Sequence, residues 1–187
     1  VAPSDHWIID KDKFTHDVNK AFKVASKEEI LITLGIKPTF PNTGYGYIRF
    51  AEDDVLKNEE NIFKVQKFAE KPTLRNAKKY LEEGNYLWNA GIFIWKTSVI
   101  INAFETYSKE LFDLFKQGNE YYNKEGEESF IKETYHRAQN ISIDYAILEN
   151  SDKVYVIPAG FDWDDLGAWG ALYGKLAKDE NRNAVVN

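Results

Sequence analysis

Cysteine is absent from the 187 residues, and so is methionine. Without cysteine the chain has no disulfides, no thiol nucleophile and no thiolate metal site, which leaves a reducing, cytoplasmic home as the expectation. Long apolar runs are missing as well. Nothing approaches the ~20 consecutive apolar residues of a membrane span, and no secretory leader pattern opens the chain. A membrane partner is therefore not expected. Positive charge is in short supply: 24 Lys and Arg face 30 Asp and Glu, a net charge of -6. The cations are scattered rather than striped, which argues against nucleic acid as a partner. What is present, 43% hydrophobic and 15% aromatic residues, is the make-up of a packed globular chain. Its length suffices for one substantial core. Repeats, low-complexity tracts and interdomain linkers are not apparent.

The most informative stretch runs from Val65 to Pro72 and on into Thr73-Leu74-Arg75. It reads as a strand that ends in a carboxylate, Glu70, and an ammonium, Lys71. Pro72 cannot join a ladder and biases Lys71 towards an extended backbone, while Thr73 is a good cap for a helix. Strand ends are where open α/β sheets bind ligands. A carboxylate accepts from neighbouring hydroxyls and an ammonium pairs with phosphate, so a sugar phosphate suits the pair. From this stretch alone an ordinary surface Glu-Lys beside a turn is the simpler reading.

Elsewhere, Asp5 follows a short apolar lead and falls at a strand end, where it serves either as a metal-binding carboxylate or as a turn residue. His6 has no partner at ligand spacing and reads as structural. Phe14, Val18, Phe22 and Ala25 form a helical stripe. Ile30 to Ile36 is a buried, central strand. Thr43 to Phe50 carries Gly46 between Tyr45 and Tyr47, either a sugar platform or a bulged strand with packed rings. The acidic segment from Ala51 to Asn61 reads as a hairpin loop. Gly84-Asn85 should stop the helix that begins at Thr73. Asn89 is a polar residue at the entry to the apolar strand Gly91 to Trp95, and a buried amide needs partners from backbone or ligand. Thr97 should cap one long helix reaching Phe115. Ser142 should cap another, in which Asp144 could face a site but is already explained by the helix dipole. Asp162, Asp164 and Asp165 lie among bulky aromatics, and their mutual repulsion calls for a cation such as Mg²⁺. Trp169, Leu172, Tyr173 and Leu176 then mark one helix face. Val185-Val186 looks like a strand cut short, so the chain is expected to be part of a longer one.

Six segments, taken in order over nearly the whole chain, resemble the sugar-1-phosphate nucleotidyltransferases: Pro3-Ser4-Asp5-His6, Thr43-Gly44-Tyr45-Gly46-Tyr47-Ile48, Phe68-Ala69-Glu70-Lys71-Pro72, Asn89-Ala90-Gly91-Ile92-Phe93, Ser142-Ile143-Asp144-Tyr145 and Trp163-Asp164-Asp165-Leu166-Gly167. The resemblance implies a three-layer, Rossmann-like α/β fold with a mixed central sheet, incomplete in this chain. It implies transfer that joins mannose 1-phosphate and GTP to give GDP-mannose and pyrophosphate. Asp5 and Asp165 would hold one Mg²⁺ and, with Lys71, carry the catalysis. Gly46 would offer backbone to sugar hydroxyls, Tyr45 and Phe93 would wall the pocket, Glu70 would bind hydroxyls, Lys71 the phosphate and Asn89 the sugar's rim. Asp162 and Asp164 match less diagnostically. The family's glycine-rich loop with its Arg and Lys has no counterpart here. Residues 1–187 are therefore expected to form the sugar-phosphate- and metal-binding part of a single nucleotidyltransferase domain, inactive without its nucleotide half. An open sheet with a bare apolar edge should result. Another sugar 1-phosphate as substrate, or a non-catalytic sugar-phosphate-binding module, are the alternatives, and a homodimer is left open.

Overall fold

The computed structural model describes residues 1–57, 59–167 and 169–184; Val185 and Val186 lie outside these. The architecture is mixed α/β. β2 (Leu31–Ile36) is buried at every position, as its β-branched run requires. It pairs in parallel with β6 (Val154–Pro158) and antiparallel with β5 (Tyr86–Ile94). β3 (Tyr47–Val55) joins β5 to β4 (Phe63–Ala69), both antiparallel. β4 then pairs with β6 through Phe63↔Val156 and Lys64↔Tyr155. The five strands thus close into a ring. This corrects the expectation of a bare apolar edge: the start of β4 supplies an antiparallel partner to the middle of β6.

Successive side chains of β2 enter different cores. Ile32, Leu34 and Ile36 pack with Ala21, Val24 and Ala25 of α1 (Lys11–Ala25). Leu31 belongs to a second cluster with Val99 and Ile100 of α3 (Thr97–Tyr107) and with Ile147. Helices therefore cover both faces of the sheet, giving three layers. The expected stripe of α1 holds for Phe14, Val18 and Ala25, which pack into this core, but Phe22 is 58% exposed and Asp17, Ala21 and Val24 are buried as well. The Asp17 carboxylate is satisfied there by accepting from Gly160 N at 2.7 Å.

Several boundaries differ from the sequence reading. β3 continues through the acidic residues Glu52 to Asp54, which point to solvent, so that stretch is strand and not loop. β5 begins at Tyr86 and places Asn89 inside it. The long helix breaks at Ser108, whose φ of -141° is not helical, into α3 and α4 (Lys109–Lys116). Lys96, not Thr97, stands at the cap of α3. A 3₁₀ turn, Gln117–Glu120, leads on to α5 (Glu127–Arg137). α2 (Leu74–Glu83) starts and stops as expected, with Thr73 Oγ1 accepting from Asn76 N and Gly84 at φ 76° ending it. α6 (Trp169–Lys175) exposes Trp169 by 88%, so its expected apolar face is not buried. A separate two-stranded ladder, β1 (His6–Trp7) with β7 (Asp164–Asp165), completes the fold and positions the carboxylates. Among the described residues no helix is long and apolar enough to cross a membrane.

Candidate active site

The β1–β7 ladder pairs His6 with Asp165 and Trp7 with Asp164, joining the two ends of the chain. Leu166 N donates to Asp5 O at 3.0 Å, extending the ladder by one bond. The result is that Asp5, His6 and Asp165 each bring a ligand-type atom within 4.8 Å of the others. The position a Cβ would take on Gly167 is 2.9 Å from Asp165 Oδ1 and 3.5 Å from Asp5 Oδ2, so these two oxygens converge on one spot. Asp165 Oδ1 also accepts from Gly167 N at 2.7 Å.

His6 is not the isolated structural residue that its spacing suggests. Its Nδ1 accepts the indole N–H of Trp163 at 3.0 Å, and the two rings meet edge to face at 5.1 Å. Burial lowers the imidazole's pKa, against the opposing pull of Asp165 and Asp5. In the neutral ring an acceptor Nδ1 puts the proton on Nε2. His6 is thereby a hydrogen-bond donor beside the carboxylates rather than a third ligand. Two carboxylate oxygens without a nitrogen suit a hard divalent cation.

The three neighbouring acids do not act together. Asp162 accepts from Ile9 N and Asp10 N, and these bonds, led by that from Asp10, lower its pKa. It fixes the entry to α1. Asp164 pairs with Lys175. Asp165 alone faces Asp5.

A second group of residues converges over Gly46. A methyl there would meet Glu70 Oε2, so glycine is what lets the carboxylate lie against this backbone as it does, while Asn89 Cβ, at 3.5 Å from the same point, is in ordinary contact. Gly46 O accepts from Asn89 N at 2.8 Å. The side-chain amide of Asn89 is fully oriented. Its Oδ1 accepts from Thr33 Oγ1 at 3.2 Å and from Gly91 N at 3.1 Å, and its Nδ2 donates to Asp144 Oδ1 at 2.8 Å. Thr33 is completely buried, so the amide is anchored from beneath the sheet. One N–H of Asn89 remains for something else.

The helix expected after Ser142 is a π-helical turn, Asp144–Leu148, with Glu149 N bonded to Asp144 O. Ser142 Oγ still accepts from Tyr145 N, at 3.4 Å. The dipole reading misses what Asp144 does, which is to hold Asn89. The signal available in the sequence was the motif Ser142 to Tyr145 itself; the π turn it forms, of a kind that clusters at functional sites, is seen only in the structure.

Glu70 follows directly on the end of β4. Burial raises its pKa first, and the like charges of Asp144 and Glu149 add to this, while Lys71 opposes. The native carboxyl therefore holds its proton to higher pH than the unfolded one. Linkage makes the native state lose stability as pH rises through that window and regain it as pH falls. Glu70→Gln should raise the thermal midpoint at about pH 8, with the gain vanishing near pH 4, where both forms are uncharged. A scanning calorimetry series across pH checks this; a constant difference at all pH values would exclude the charge as its source.

Lys71 is not extended as its place before proline suggests. Its φ is 43°. The chain must reverse from β4 into α2 within residues 70–73, and a left-handed residue makes that reversal, at a cost of ~1 kcal/mol or more. Its side chain is 68% exposed, with Nζ 3.8 Å from Glu70 Oε1.

Of the two expected pocket walls, Tyr45 sits edge-on to Trp163 at 5.3 Å and to Trp88 at 5.2 Å, on the side of the β1–β7 ladder. Phe93 lies in the second core and stacks on Trp95 at 5.7 Å. Its 5% exposure makes it a floor at most. The two groups of site residues are linked by the first residues of the chain. Val1 and Phe93 exchange backbone hydrogen bonds of 2.9 Å, and Pro3 lies 3.3 Å from a Cβ position on Gly91.

The family model described as nucleotidyl transferase matches residues 1–182. A protein of Sinorhizobium fredii named mannose-1-phosphate guanylyltransferase is 36% identical over 190 residues, covering 100% of this chain and 35% of that protein. One of Salmonella typhimurium, named mannose-1-phosphate guanylyltransferase RfbM, is 34% identical, covering 99% and 38% respectively. The chain thus spans well under half the length of these relatives. A Thermus thermophilus crystal structure, titled mannose-1-phosphate geranyltransferase, superposes with a TM-score of 0.80 at 29% identity, over 93% of this chain and 48% of that one. With site geometry, fold and sequence in agreement, the chain belongs to the nucleotidyl transferase family.

Proposed function

We propose that residues 1–187 are the sugar-phosphate- and metal-binding part of an enzyme that joins mannose 1-phosphate to GTP, giving GDP-mannose and pyrophosphate. The observation that carries this reading is the pairing of two converging carboxylates, Asp5 and Asp165, with a second cluster of Gly46, Glu70, Lys71 and Asn89, joined to them through Val1 to Pro3 and through Tyr45 against Trp163. The names of the relatives supply the sugar and the base. Asp5 and Asp165 would hold Mg²⁺, which when bound supplies charge neutralisation for the phosphates.

The remaining roles fall to the chain itself. Glu70 accepts from sugar hydroxyls, the free N–H of Asn89 donates to a hydroxyl oxygen, and Gly46 allows the ring close to backbone. Lys71 Nζ binds the sugar's phosphate and holds one oxygen in line with the α-phosphorus of GTP. That oxygen forms the new P–O bond as the bond from the α-phosphorus to the α–β bridging oxygen breaks, and both electrons leave with pyrophosphate. No protein nucleophile is needed; the rate comes from positioning and charge.

The complete protein, given mannose 1-phosphate, GTP and Mg²⁺, should release pyrophosphate. It should do so at least about 100-fold more efficiently than with glucose 1-phosphate or with UTP, the scale set by unmet buried polar groups. Preference for another pair would transfer the reading to another sugar or base. Sugar-phosphate binding with no pyrophosphate from any pair would make the protein a binding module.

A further inference from the structure

Thr33 is the one polar side chain of β2, and it is completely buried. A buried hydroxyl costs free energy unless it is hydrogen-bonded, and valine would fill the same shape without that cost. Thr33 Oγ1 has two acceptors in reach, Asn89 Oδ1 at 3.2 Å and its neighbour's carbonyl, Leu34 O, at 3.5 Å. The shorter bond crosses to β5. In a regular antiparallel ladder, Gly35 opposite Asn89 would put Thr33 opposite Gly91, but Thr33 pairs with Phe93. β5 therefore carries a bulge of two extra residues between Asn89 and Phe93, with Gly91 in the left-handed region at φ 66°. Bulges re-aim side chains, and this one brings Gly91 N to Asn89 Oδ1 at 3.1 Å. We propose that Thr33 is a positioning residue for sugar recognition: its hydroxyl and the β5 bulge together seat the Asn89 amide so that the amide's free N–H is held in place for a ligand hydroxyl.

The two partners of Asn89 Oδ1 do different things. Gly91 N–H can only donate, so it fixes which end of the amide is the oxygen. A flipped amide would set Nδ2 against that N–H and turn Oδ1 towards the Asp144 carboxylate, so neither bond would survive. A hydroxyl donates or accepts and so does not choose the flip. What Thr33 contributes is depth. It ties Oδ1 to β2, a strand held on one side by β5 and on the other by β6. With a methyl in place of the hydroxyl, Oδ1 keeps one partner instead of two and the amide is free to swing about that single bond. The N–H that reads the sugar is then less sharply placed. Thr33 is wholly buried and touches no ligand, so its effect must pass through Asn89. The expected loss is that of one neutral hydrogen bond, about threefold to tenfold in affinity.

This role for Thr33 rests on the sugar-site reading above, and the test separates the two. Mannose 1-phosphate and GTP are titrated separately by calorimetry into the complete protein as wild type, Thr33→Val, Thr33→Ser, Asn89→Ala and the double variant Thr33→Val/Asn89→Ala. Thermal midpoints are taken on the same preparations. A wild type that binds no sugar 1-phosphate sinks the sugar-site reading, and the role of Thr33 falls with it. If it binds, Thr33→Val should weaken mannose 1-phosphate about threefold to tenfold and leave GTP within about twofold. Thr33→Ser keeps the hydroxyl and loses a packed methyl, so it should bind the sugar phosphate within about twofold of wild type even at a lower midpoint. Affinity then follows the hydroxyl and not the stability. In the Asn89→Ala background, Thr33→Val should cost no further affinity, because the group it acts through is gone. Wild-type affinity in Thr33→Val would overturn the proposal. So would a full additional loss in the double variant, or losses in Thr33→Val and Thr33→Ser that track their midpoints, which would make Thr33 a packing residue only.

Discussion

Asp165→Asn in the complete protein should lose at least about a thousandfold in turnover while its thermal midpoint stays at or above that of wild type. A metal-held phosphate contributes several kcal/mol of transition-state stabilisation, and a factor of a thousand is about 4 kcal/mol. Asn keeps the oxygen that accepts from Gly167 N, so the local turn survives the change. What it removes is one of two negative charges whose oxygens converge beside Gly167. Among the described residues neither Asp5 nor Asp165 has a Lys or Arg partner. Neither charge is therefore tied into an ion pair that its removal would break, and removing one lessens the repulsion between the two. Asp5→Asn should behave alike. Initial rates with scanning calorimetry on the same preparations check the pair of effects. Full activity in either variant would remove that residue as a ligand. A midpoint several degrees lower would mean that the carboxylate was supporting the β1–β7 ladder instead.

Local signals in the sequence proved sufficient where one residue's chemistry decided the outcome. Thr73 caps and Gly84 ends α2 because side-chain capping and left-handed glycine are properties of single positions. β2 is buried throughout because its run is apolar at both parities. Asp5, Glu70 and Asn89 stood out as candidates because polar groups beside or inside apolar runs call for partners. The structure brings Asp5, just ahead of β1 rather than at a strand's C-terminal end, to Asp165, and sets Glu70 and Asn89 about Gly46. The failures share a different cause. His6 gained its meaning from pairing with Asp165, a tertiary neighbour at a separation that no spacing rule reaches. Asp144 was hidden by a π turn that periodicity cannot separate from an α-helix. Phe22 and Trp169 were placed inside by a helical stripe, yet stripes tell only which residues share a face. Which face is buried depends on what covers it. The ring closed by β4 and β6 was invisible for the same reason.

Lys71 is the position at which charge, backbone and function can be separated by substitution. Lys71→Ala in the complete protein should weaken mannose 1-phosphate by about 10–100-fold and leave GTP within about twofold, since a charge-assisted bond to phosphate contributes ~1.5–3 kcal/mol. The backbone at φ 43° is as uncomfortable for Ala as for Lys, so this change alone leaves the strain in place. Lys71→Gly removes both the ammonium and the strain. Relief of about 1 kcal/mol is offset by glycine's greater freedom in the unfolded chain, so its stability should fall within about 1 kcal/mol of wild type. Both variants should lose the sugar phosphate equally, whatever their stability. Removing the ammonium also withdraws the cation that holds Glu70's pKa down. In either variant the carboxyl should then protonate at higher pH, and residual sugar-phosphate binding should fall off at correspondingly higher pH on acidification. Lys71→Arg keeps the charge and should recover most of the affinity. Equal weakening of GTP and sugar phosphate, or an arginine variant as poor as alanine despite an intact midpoint, would show that Lys71 serves the turn between β4 and α2 and not the phosphate.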